Sequence, residues 1–211
     1  MPCAGGTVPA MHRSPSLRSL AIVPAAAVGG LLLSATPVLA HTGHPTSGIG
    51  EGFLHPITGP DHLLAMVAVG VVAASLARGV RAWVAPAAFL AGMVIGGLAG
   101  MAGVPFPGAE ALIVASVVLL GLTIAGAVEA RGRALGALLA LLAFAGMAHG
   151  HAHGAAAPAS VNPLAYVAGF LGATAALHAA GVGVGVIIRD RRTVRFGLGL
   201  ATVTAGALLV V

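Results

Sequence analysis

His55, Asp61 and His62 place two imidazoles and a carboxylate within one short stretch, Glu51–Met66, which runs directly into the apolar segment Val67–Ala77. The stretch holds two of the five acidic residues of the chain and two of its nine histidines. Ionisable groups at the edge of a membrane are costly and usually functional. Two imidazoles with a carboxylate suit a borderline divalent ion such as nickel, cobalt, zinc or copper. The competing reading is a helix cap with two hydrogen-bonded imidazoles. Asp61 and His62 are neighbours and do not share a helical face. They join one site only if the chain turns between Pro56 and Pro60, or if Asp61 orients a ligand histidine from behind. Met66, one turn beyond His62, offers a thioether, with core packing as its other role.

A second group lies in Met147-Ala148-His149-Gly150-His151-Ala152-His153-Gly154. On a helix His149 and His153 stand one turn apart on one face, an arrangement able to grip one ion. His151 points elsewhere unless the helix unwinds at Gly150 or Gly154. The bland alternative is a wet, hydrogen-bonded rim. His178 stands alone in an apolar run, with a pathway role and a structural hydrogen bond both open. His41 and His44 belong to the run His41–Gly50, which has two open readings: a lure handing metal to His55 and Asp61, or a signal-peptide scar with no role.

The elements that must position these residues are membrane helices. The chain has 211 residues, 58% of them hydrophobic and 7% charged, against about 25% charged in an average soluble domain. Its 32 glycines suit close helix approach in a bilayer. The fold class expected is all-α: a polytopic bundle of six transmembrane helices after a cleaved signal peptide. Residues 1–40 form the signal, with Arg13 and Arg18 ahead of the apolar core Leu20–Leu33 and cleavage after Ala40. Residues 41–211 form one domain. The first span, 48–77, is broken at Pro56–Pro60, with a half-helix through His55 and a full helix from Asp61, whose carboxylate caps it. The remaining spans are 82–102, 109–128, 134–153, 163–188 and 194–211, each near the roughly 20 residues a bilayer requires.

All charge of positive sign is arginine, and it alternates between loops. Arg78 and Arg81 share one connection, Arg131 and Arg133 another, and Arg189, Arg191, Arg192 and Arg195 a third, while the intervening loops have none. This is the positive-inside pattern. It places the basic loops in the cytoplasm and both mature termini in the periplasm, and it explains the net charge of +5 as topology rather than as a nucleic-acid surface. The lone cysteine, Cys3, lies in the leader and leaves the mature chain without disulfides or thiolate ligands. No Walker motif, H-E-x-x-H zinc motif or nucleophile elbow is present. The reading is a carrier and not an enzyme. An intramembrane metalloenzyme, and a membrane sensor or chaperone that holds metal without passing it, are the alternatives.

The chain resembles the HupE/UreJ family of bacterial membrane proteins. A first motif, H-x5-D-H, matches His55-Pro-Ile-Thr-Gly-Pro-Asp61-His62. A second, F-H-G-x-[AV]-H-G-x-E, matches Ala148–Ala156, keeping His149, Gly150, His153 and Gly154 and replacing the aromatic and the acid by Ala148 and Ala156. The resemblance implies a nickel permease of the inner membrane serving hydrogenase or urease assembly. It carries Ni(2+), or Co(2+), as cargo, with no prosthetic group and with the bilayer as its partner. The link to the nickel-enzyme maturation machinery is indirect.

Overall fold

The structure, a computed structural model, describes residues 48–126 and 130–209. The expected signal peptide, its cleavage after Ala40, His41, His44 and Glu129 lie outside these residues. The described residues form seven α-helices and no strand. They are α1 (Gly48–Thr58), α2 (Pro60–Leu76), α3 (Val84–Met101), α4 (Ala109–Gly126), α5 (Arg133–Ala155), α6 (Pro163–Ile188) and α7 (Arg192–Leu208). A short 3-10 turn, Gly79–Trp83, leads into α3. Four of the helices are long and apolar enough to cross a membrane, and α1 with α2 makes a fifth crossing if the bent pair counts as one. The chain is therefore a membrane protein; α7, at 17 residues, is not among these helices, so the described residues hold four or five such crossings where six were expected.

The break in the first segment lies inside the expected Pro56–Pro60 stretch, but the half-helix ahead of it runs three residues further than His55. α1 runs through Pro56 to Thr58, Gly59 is the hinge, and α2 starts at Pro60, with an angle of 83° between the two. Proline fits the first position of a helix because no partner is needed for its missing N–H. That shifts the start of α2 one residue ahead of Asp61. The cap position is then Gly59, and no side chain caps the helix, so Asp61 does not fill the capping role expected of it. It lies in the first turn, where a carboxylate still complements the helix dipole. Gly59 has a packing reason: a Cβ there would lie 3.1 Å from both Asp61 Oδ1 and His62 Cδ2.

Glycine seams set the helix pairing. On α3, Gly92 and Gly96 meet the carbonyls of Ala143 and Met147 on α5. In return Gly146, Gly150 and Gly154 meet the carbonyls of Phe89, Met93 and Gly97. A Cβ at any of these positions would overlap the opposite backbone. Between α2 and α6, Gly70 meets the His178 carbonyl and Gly181 that of Val67. In lipid, where apolar side chains gain nothing by leaving the solvent, such close backbone approach is a main source of helix association. Polar ends are closed locally. Asn162 Oδ1 accepts from Ala165 N at 3.1 Å at the start of α6, a standard N-cap. Arg189 donates to the carbonyls of Ala74 and Ala77 at the end of α2, satisfying acceptors that a helix terminus leaves open.

α1 has two unlike sides. Gly48, Gly52 and Pro56 are buried, and Gly52 and Gly169 bring α1 into backbone contact with α6. Ile49, Phe53, Leu54 and Ile57 are exposed.

Candidate metal centre

The bend between α1 and α2 brings His55 and His62 to the same place, and α5 brings His153 to meet them. One ring nitrogen from each lies within 4.8 Å of the others. Ring centroids are 4.4 Å apart for His62 and His153 and 4.8 Å for His55 and His153. His153 is fully buried and neither of its nitrogens has a hydrogen-bond partner. Buried polar atoms are rarely left so in native proteins, and each such atom needs a reason. Phe170 stacks on the His153 ring, 15° from parallel, and holds its plane.

His149 does other work. Its Nδ1 lies 2.9 Å from His62 Nδ1, and its Nε2 lies 3.0 Å from Ser116 Oγ. Ser116 Oγ donates to the Ile113 carbonyl at 2.6 Å. The direction of the whole chain follows. Ser116 has spent its one proton, so it accepts from His149 Nε2–H. A neutral His149 then presents a bare Nδ1, which accepts from His62 Nδ1–H. That leaves His62 Nε2 with its lone pair, the state a metal ligand requires. Asp61 Oδ2, 3.8 Å from His62 Nδ1, adds negative charge behind the same ring. His149 and His153 thus share a face of α5, as their spacing predicts, but His149 is hydrogen-bonded on both nitrogens while His153 is open on both.

Of the other residues singled out in the sequence, His151 points away from the triad. Its Nε2 is hydrogen-bonded to the Val104 carbonyl at 2.7 Å, beside a separate cavity of about 470 Å³ shared with Glu110 and Ala156. Met66 is fully buried in the apolar core, and its carbonyl accepts from His178 Nδ1 at 2.7 Å. Ser116, Phe89 and Phe170 were not singled out. Ser116 had a readable signal: it is the sole hydroxyl in the run Ala111–Leu122.

Three imidazoles with a nearby carboxylate and no thiolate could hold a borderline divalent ion, with coordination positions left open for water or a further donor.

The HupE / UreJ protein family profile matches residues 29–209. The protein named HupE of Rhizobium leguminosarum bv. viciae is 38% identical over 181 residues, covering 82% of this chain and 89% of that one. No solved structure matches. With the family's two histidine motifs meeting in one buried site, and with this extent of similarity, the chain belongs to the HupE / UreJ family.

Proposed function

We propose that the protein is a secondary permease that takes a divalent transition ion, nickel first and cobalt second, from the periplasm to the cytoplasm for hydrogenase or urease maturation. The observation that carries this is the convergence of His55, His62 and His153 within 4.8 Å at a bend between two helices. Transporters place ion sites where membrane helices are interrupted. The triad replaces part of the water shell of the ion with neutral nitrogen, and Asp61 offsets charge without closing the coordination sphere. A transport site must bind firmly enough to select and weakly enough to release. An inward-negative potential favours entry of a divalent ion by about 4–5 kcal/mol per 100 mV.

Radioactive nickel uptake by cells lacking other nickel carriers tests the reading. Wild-type protein gives time-dependent cytoplasmic accumulation. Asp61→Asn, equal in size but without charge, reduces it at least roughly tenfold at equal protein level, the order expected for a group behind a metal ligand. A three-histidine site also resembles that of zinc enzymes that activate water, such as carbonic anhydrase. Bound metal without accumulation would favour that enzyme reading, or a non-transporting sensor or chaperone.

The same reading has six spans, with α7 as the last, a leader cleaved after Ala40, and both mature ends in the periplasm. Alkaline phosphatase fused after Val211 is then active, and a reporter that works only in the cytoplasm is silent there. The reverse result removes the six-span topology.

A further inference from the structure

Tyr166, Phe170, Thr174 and His178 recur at four-residue intervals along α6 and are all buried. Such residues form one ridge of a helix. The first two border the triad: Tyr166 lies 6.3 Å from the His55 ring and Phe170 lies 5.4 Å from that of His153, between centroids. The ridge then continues away from it. His178 is eight residues past Phe170, about 12 Å further along the axis at 1.5 Å per residue.

His178 Nδ1 lies 2.7 Å from the Met66 carbonyl. A carbonyl only accepts, so Nδ1 carries the proton and Nε2 of the neutral ring carries the lone pair. That Nε2 has no partner, and the ring is 0% exposed. One turn away, Thr174 Oγ1 is equally buried and equally without a partner, although a helical threonine readily bonds to the carbonyl four residues back. A histidine serving structure alone would use both nitrogens. One N–H held by a backbone carbonyl, with the opposite nitrogen open, is how proteins aim a metal-binding imidazole. The helix that supplies the Met66 carbonyl also carries His62, one turn earlier. The Phe89 ring stands between the two regions, 5.4 Å from His149 and 5.4 Å from His178 by centroid.

We propose that His178 Nε2 and Thr174 Oγ1 form a second, inner halting site for the divalent ion, with the Phe89 ring as the apolar divide between it and the outer triad. The inference rests on the carrier reading for its role and on the geometry of α6 for its place. Next to His178, Gly70 and Gly181 bring α2 and α6 into backbone contact, so the ion waits there until those helices part.

The test uses the full chain in nanodiscs, with cobalt chloride as the probe and bound metal counted by equilibrium dialysis. His178→Asn keeps an N–H near the Met66 carbonyl and removes Nε2. Thr174→Val keeps shape and removes the hydroxyl, and Thr174→Ser restores it. Each of the first two variants binds one equivalent fewer than wild type, and the serine variant regains it. In cells, His178→Asn lowers nickel uptake at least roughly tenfold, as loss of a ligand would. Wild-type metal equivalents in both His178→Asn and Thr174→Val overturn the inner site, whatever the uptake shows. Loss of the equivalent in a protein whose wild type accumulates no metal upholds the inner site and removes the carrier reading instead.

Discussion

His153→Leu leaves the metal-free protein at least as heat-stable as wild type, and abolishes the rise in unfolding temperature that nickel produces. The two halves of this result have separate causes. His153 is fully buried with both nitrogens unpartnered, so leucine removes two uncompensated polar atoms and breaks no hydrogen bond. Replacing such groups by an apolar shape is neutral or stabilising. The same change takes away one of the three proposed ligands, and nickel affinity is expected to fall at least about 100-fold, beyond what loss of a supporting partner alone causes. Metal that binds only the folded state raises stability by mass action, and that increment disappears. His149→Leu is the contrast: it leaves the buried His62 Nδ1–H without its acceptor, and it lowers stability even without metal. Differential scanning of both variants in detergent, with and without nickel, decides the matter. A metal-free His153→Leu protein that melts well below wild type would make this residue structural.

Gly96→Ala, by contrast, removes the folded protein altogether. A Cβ at Gly96 would overlap the Met147 carbonyl on α5. Neither party can give way by a rotamer change, because both are backbone. Gly92 one turn earlier, and Gly150 and Gly154 on the facing helix, bind the same seam, so α3 and α5 must separate along their length. Ordinary overpacking costs about 1–3 kcal/mol, and here a whole helix interface is lost, which exceeds that range. Gly136→Ala lies in the same α5 with nothing within 4 Å of the added carbon, and it changes yield and thermal stability little. Size-exclusion profiles of the two purified variants make the comparison. A monodisperse, wild-type-like Gly96→Ala protein would show that the seam is looser than the structure has it.

The outer site was partly legible because its residues stand out chemically. His55, Asp61 and His62 interrupt an apolar sequence, and Pro56 and Pro60 announce a break. What the sequence could not supply was direction. Which of the buried His149 and His153 keeps its nitrogens unpartnered depends on residues such as Ser116, 33 positions earlier in the chain than His149, and the two histidines are alike by type and spacing. The hinge at Gly59 lies inside the expected break, but α1 runs on past His55 because Pro56 is tolerated in its last turn, where Thr58 and Gly59 both return hydrogen bonds to the His55 carbonyl. The partner of each glycine was beyond reach for a similar reason. Gly70 and Gly136 look equivalent in one dimension, yet one is pressed against the His178 carbonyl and the other faces open space.

The two-sided character of α1 reaches further than its packing. If α2 stands across the membrane, a helix turned 83° from it lies close to the membrane plane, where the exposed Ile49, Phe53, Leu54 and Ile57 would meet acyl chains in the manner of interfacial helices. His55 rides on that helix. One of the three proposed donors would then be positioned from its far side by lipid rather than by protein. On the proposed carrier reading, lateral pressure and acyl-chain length would then help set how tightly the ion is held, and the same polypeptide is expected to differ in metal affinity between a thin bilayer and a thick one.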